Sequence, residues 1–88
     1  DLVDAGNSHY ENGRFKEAAN CYEEAIALHP GVANWHAKLA YTQLQLGDRR
    51  SALEHFEFAV KHNPEVLAWR VALSELQRQI DNHNPSLE

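Results

Sequence analysis

Apolar residues recur along this chain at spacings of three and four rather than two, the period of an amphipathic helix. From Phe15 to Leu28 the stripe is Phe15, Ala18, Ala19, Tyr22, Ala25 and Ile26. His29-Pro30-Gly31 ends it, because proline removes a ladder donor and glycine permits the turn. From Ala33 to Leu46 the residues Trp35, Leu39, Thr42 and Leu46 fall on one side, and Gly47-Asp48 breaks the run. From Arg49 to His62 the stripe is Ala52, Leu53, Phe56, Ala59 and Val60, closed by Asn63-Pro64. Helix formers from Leu2 to Asn12, stopped by Gly13, place one helix ahead of these. Residues 65–81 place another behind, with Trp69, Leu73, Leu76 and Ile80 on one face and Arg70, Ser74, Gln77 and Asp81 on the other. The pattern predicts an all-α chain of five helices.

The second hairpin repeats the first. Gly13/Gly47, Ala18/Ala52, Glu23/Glu57, Ala25/Ala59, Pro30/Pro64, Val32/Val66, Trp35/Trp69 and Leu39/Leu73 are identical pairs at an offset of 34 residues. A fixed period of this length predicts stacked helical hairpins. Repeat 1 is expected over about 1–32, repeat 2 over about 33–66, a solvating cap helix over about 65–81 and a frayed tail over 82–88, all in one domain, 1–88. Small residues at Gly6, Ala18, Ala25, Ala40, Ala52 and Ala59 let paired helices approach, while Tyr22 and Phe56 fill the space between one hairpin and the next. Asp48 is placed to cap the fourth helix, whereas its counterpart Arg14 cannot cap the second. Glu57 and Lys61 are spaced for an i,i+4 ion pair.

Composition narrows the chemistry. The formal charge is −5, and the only adjacent basic pair, Arg49-Arg50, lies beside Asp48, so nucleic acid is not an expected partner. Charge is uneven, with two bases and six acids in residues 1–32. No apolar run reaches the roughly twenty residues a bilayer requires, so no membrane association is expected. A lone Cys21 excludes an intrachain disulfide and makes a reducing compartment the default, with the residue read as packing rather than nucleophilic, and the lack of a signal or transmembrane segment in this sequence makes cytoplasmic the default location. The opening on Asp1 without Met reads as an excised piece of a longer protein, and Leu87-Glu88 as a cloning remnant.

Six histidines invite a metal reading, yet His9, His29, His36, His55, His62 and His83 contain no i,i+3 or i,i+4 pair. They are expected as scattered surface residues, with His29 and His62 favouring the dipole in the last turns of their helices. Ser8, Ser51, Ser74 and Ser86 lack a nucleophile-elbow motif, and no glycine-rich phosphate loop is present. No catalytic residue, metal or cofactor is expected.

Gly6, Gly13, Phe15, Ala18, Tyr22, Ala25 and Pro30, followed by Leu39, Ala40, Gly47, Ala52, Phe56, Ala59 and Pro64, resemble the signature of the tetratricopeptide repeat over residues 1 to about 81. Trp35 and Trp69 stand one position earlier than the usual Trp, and His9 and Gln43 stand where an aromatic is common. The resemblance implies a right-handed α-solenoid of antiparallel hairpins whose first helices line a concave face. On that face it places Asn7, Tyr10, Glu11, Asn34, Lys38, Tyr41, Leu44, Gln45 and Arg78 as peptide-binding residues, with Val3, Ala37, Val71 and Glu75 beside them.

Asn7, Asn34 and Gln45 are the expected polar anchors, and Tyr10, Tyr41 and Leu44 the expected apolar floor. Members that grip a chaperone's C-terminal carboxylate use Lys, Asn, Asn, Lys and Arg. The corresponding residues here are Val3, Asn7, Lys38, Ala68 and Ala72, of which only Asn7 matches, so acidic C-terminal peptides are not expected to bind strongly. The implied function is a non-catalytic scaffold or adaptor for a protein or peptide partner. Two alternatives stand beside it: an assembly segment that stacks on further repeats or another copy through the N-terminal hairpin, where Leu2 and Val3 are uncovered, and an accessory array of a larger enzyme such as a glycosyltransferase.

Overall fold

The computed structural model describes residues 1–82, which form α1 (Leu2–Glu11), α2 (Phe15–Leu28), α3 (Ala33–Gln45), α4 (Arg49–His62) and α5 (Leu67–Asn82). Strands are absent among the described residues. Each helix packs chiefly on its neighbours in the chain: α1 on α2, α2 on α3, α3 on α4 and α4 on α5. The result is a row of antiparallel hairpins, an all-α solenoid.

The two hairpin turns are built alike. At the first, the Gly13 N–H donates to the Tyr10 carbonyl at 3.0 Å and the Arg14 N–H to the His9 carbonyl at 2.8 Å. At the second, Gly47 donates to Leu44 at 3.1 Å and Asp48 to Gln43 at 2.9 Å. This double closure is the Schellman motif, and it needs a left-handed residue. Gly13 (φ 75°) and Gly47 (φ 82°) supply it. Asp48 then caps α4 by accepting from the Ser51 N–H at 3.2 Å, and Arg14 makes no such bond to α2, as the sequence predicts.

Burial follows the small/large alternation. Ala18, Ala40, Ala52 and Ala59 are fully buried. Tyr22 of α2 packs with Ala18, Ala19 and Leu39 of α3, with Val3, Tyr10 and Ile26 around them, so it joins the first hairpin to the second. Phe56 of α4 packs with Ala40, Ala52 and Leu76 and so joins α3 to α5. A third cluster, Ala33, Ala37, Ala59 and Trp69, sits at the other end of the same hairpin.

Several local expectations are corrected. The third helix stops at Gln45, so Leu46 is its cap residue and lies 41% exposed rather than on the buried side. Trp35 is half-buried, its ring 6.0 Å from that of His29 in an edge contact. The fifth helix starts at Leu67, because Pro64 and Glu65 are held in a turn closed by the Val66 N–H on the Asn63 carbonyl at 3.3 Å. That helix includes Asn82, and the rest of the expected frayed tail, 83–88, lies outside the described residues. Its outer face is less polar than expected, because Leu67 and Val71 are exposed beside Arg70 and Ser74. Among the described residues Glu57 and Lys61 do not pair and the ion pair that forms is Arg78 with Glu75 at 3.2 Å, between exposed side chains, and such a pair contributes little.

Candidate binding groove

α1 and α3 present side chains to one open groove of about 340 Å³, lined by Asn7, Tyr10 and Glu11 from α1, Lys38 and Tyr41 from α3, and Tyr22 from α2 beneath them. Asn7 and Tyr41 are 34 residues apart, so the repeat itself sets this meeting. Neighbouring aromatics fix the two outer rings: Tyr10 meets Phe15 edge-on at 5.2 Å, and Tyr41 meets Phe56 edge-on at 4.9 Å.

The Tyr22 hydroxyl donates to Asn7 Oδ1 at 2.6 Å. Burial, then the nearby Tyr10, Cys21 and Glu11, pushes the Tyr22 phenol above its ordinary value, which keeps it a neutral donor at pH 7. Tyr41 is raised likewise, by burial and then by Tyr10. With its oxygen engaged, Asn7 retains two amide N–H donors. The groove thus combines an oriented amide, aromatic walls and one charge of each sign, Glu11 and Lys38.

Five of the nine residues expected on the concave face meet here: Asn7, Tyr10, Glu11, Lys38 and Tyr41. The other four do not line this groove. Arg78 borders a separate hollow of about 280 Å³ with Leu67, Arg70, Val71, Ser74 and Glu75. Leu44 is half-buried and packs against the Phe56 and Leu76 cluster. Asn34 and Gln45 are exposed at the two ends of α3. Ala37, expected beside them, is only 2% exposed and packs on Ala59 and Trp69. For Leu44 and Ala37 the physical reason is that α3 packs against neighbours on two sides, whereas Asn34 and Gln45 stand at its ends and Arg78 is on α5.

The surface reading of the histidines is corrected for three of them: His9, half-buried in α1, and the pair His36 and His55. His36 is buried, its Nε2 2.8 Å from the Pro30 carbonyl and its Nδ1 3.0 Å from Nδ1 of the half-buried His55. The His36 ring stacks on Phe58 at 3.9 Å, and Phe58 stacks on His62 at 4.0 Å. A signal for this pair was available: residues about equidistant from Leu46 face each other across the hairpin, as Ala40/Ala52 and Ala33/Ala59 do, and His36/His55 nearly satisfy the same relation. His29 falls just past the end of α2, as its cap residue. His62 is in the last turn of α4. Among the described residues no group of three metal-binding side chains converges.

Two stacked hairpins, a fifth helix and a groove between first helices define a helical-repeat protein. A family model described as TPR repeat matches residues 6–47, and one described as Tetratricopeptide repeat matches residues 37–83. The chain belongs to the tetratricopeptide-repeat family. Such repeats are generally protein-interaction modules and typically non-catalytic. Comparison with curated proteins returned no match. Among the described residues no helix is long and apolar enough to cross a membrane.

Proposed function

We propose that the groove between α1 and α3 binds an extended segment of a partner protein. The meeting of Asn7, Tyr10, Glu11, Lys38 and Tyr41 in one open hollow, with Asn7 oriented by Tyr22, carries this reading. The free amide hydrogens of Asn7 donate to a peptide carbonyl, which fixes the direction of the ligand backbone. The Tyr10 and Tyr41 rings supply contact area at little rotamer cost, because the core already holds them. Lys38 and Glu11 favour a segment carrying an acid and a base in the matching order.

Peptides selected from a displayed random library on the intact chain provide the test. Asn7→Ala and Lys38→Glu are each expected to weaken the selected peptides about tenfold or more, the size of one lost charged or amide contact. Asn34→Ala and Gln45→Ala, which alter residues outside the groove, should leave affinity unchanged. The reverse order of effects refutes the assignment. In the same titrations an acidic C-terminal peptide should show no micromolar binding, and binding that disappears on amidation of its carboxylate would contradict the reading.

A second surface supports a stacking role. Asp1, Leu2, Val3, Ala25, Leu28, His29 and Trp35 line a largely apolar hollow of about 400 Å³, where Leu28 is 68% exposed. Stacking on further repeats or another copy would cover it. For a second copy, sedimentation should show a concentration-dependent dimer that Leu28→Glu dissociates; a monomer at every concentration refutes self-stacking.

A further inference from the structure

We propose that His36 and His55 form a proton-gated latch, which holds the second hairpin closed and, through the Pro30 turn, sets its position against the first. Three parts of the chain meet at this one pair: the α2–α3 turn through Pro30, α3 through His36 and α4 through His55.

The hydrogen-bond chain fixes the tautomers. A carbonyl only accepts, so His36 Nε2 carries a hydrogen and donates to Pro30. Neutral His36 then has a lone pair at Nδ1, and His55 Nδ1 must carry the hydrogen between them. His55 Nε2 is the remaining basic nitrogen of the pair. One proton from solvent can settle there and leave the Nδ1–Nδ1 bond standing. A second proton has to occupy His36 Nδ1, which removes the acceptor and sets two N–H groups and two positive charges face to face across 3.0 Å. The pair then separates.

The surroundings limit how readily the first proton is taken up. Burial, then the His36 ring, lowers the His55 pKa, and Glu54 on the same helix acts in the opposite direction. From α4, Phe58 stands between His36 and His62. From the α2–α3 turn the contact is the uncharged Pro30 carbonyl. On the α5 side Trp69 packs on Ala33, Ala37 and Ala59 of this hairpin.

The sign is therefore set. A histidine whose folded pKa lies below its unfolded value of about 6.5 contributes stability that is complete above that value and is lost as pH falls through it toward the folded pKa. Lys38 and Tyr41 follow His36 on α3, so opening the pair alters the helix that forms one wall of the groove.

The test uses long-range proton–nitrogen spectra of the histidine rings together with urea unfolding of the 88-residue chain at pH 7.5 and 5.5. At pH 7.5 the Nε2–H form of His36 and the Nδ1–H form of His55 are expected. Between the two pH values the folding constant of the wild type should fall further than that of His55→Asn, by up to about tenfold, because the Asn amide supplies a non-titrating donor in place of Nδ1–H. Tyr41 and Asn7 side-chain signals should hold through uptake of the first proton by the pair and shift with the second, when the Nδ1–Nδ1 bond is lost. The opposite tautomers, equal losses in the two proteins or unmoved groove signals overturn the proposal. So does stabilisation of the wild type by Zn²⁺ or Ni²⁺ at pH 7.5, which would mean that the two nitrogens face each other for a metal. Should His55→Asn fail to fold, the wild-type tautomers decide alone.

Discussion

Phe56→Ala should cost about 3–5 kcal/mol of folding free energy, measured as a shift in the urea midpoint at pH 7.5. Phe56 is fully buried, packs with Ala40, Ala52 and Leu76 and meets Tyr41 edge-on at 4.9 Å. Its neighbours on two sides are alanines already in close contact, so they cannot move inward to fill the space. A chain of 88 residues has a total stability on the order of 5–10 kcal/mol, and the variant therefore stands near the threshold of folding. The damage should spread both ways. Leu76 loses its partner, so Trp69 fluorescence should report a wetter environment as α5 loosens, and Tyr41 loses the ring that orients it in the groove. A loss below about 1 kcal/mol would show that the site collapses, contrary to the packing described.

Gly6→Ala is the second large effect and runs against helix propensity. Gly6 lies within α1, where alanine is favoured over glycine by about 1 kcal/mol. A β-carbon at this position would fall 2.6 Å from Tyr22 Cε1 and 2.9 Å from Cδ1, inside any tolerated contact. The ring is buried and its hydroxyl is bonded to Asn7, so it has little freedom to retreat. Overpacking of this kind typically costs about 1–3 kcal/mol. Net destabilisation is expected, together with weaker peptide binding, because displacement of Tyr22 releases Asn7. Adding Tyr22→Leu should recover part of the stability and none of the binding. Stability lost equally in the single and double variants would place the cause elsewhere.

The helices were legible because their punctuation is chemical. Gly13, Gly47, Pro30 and Pro64 act on the backbone directly, and whatever packs nearby cannot override a missing donor or a left-handed turn. Alanine and aromatic positions were legible for a related reason: the offset of 34 residues makes each repeat a check on the other. The first-helix residues proposed for binding came from the resemblance to the tetratricopeptide repeat rather than from the register, and five of them line one hollow.

What escaped notice depended on how much of each face its neighbours cover. Ala37 is on the first helix of the second repeat, but Ala59 of α4 and Trp69 of α5 cover it, and Leu44 of the same helix is partly covered by Phe56 and Leu76. Arg78 is on a helix whose outer residues surround a different hollow. The small/large alternation accounts for the Tyr22 ring but not for its hydroxyl, which donates to Asn7. The histidine pair is not visible in spacings along a single helix, because His36 and His55 meet across the hairpin from α3 and α4. His9 and Gln43, which share one repeat position, each bury a polar atom without a hydrogen-bond partner among the described residues.

Because every rod leans mainly on the one before it and the one after it, resistance to opening is graded along the row. Amides of α3, sheltered on both flanks, should exchange with heavy water last, and those of α1 and α5, each supported from one side, first. A partner that spans α1 and α3 would splice the loosest element of the first hairpin to the firmest of the second, so occupancy should slow exchange most at the amino-terminal end.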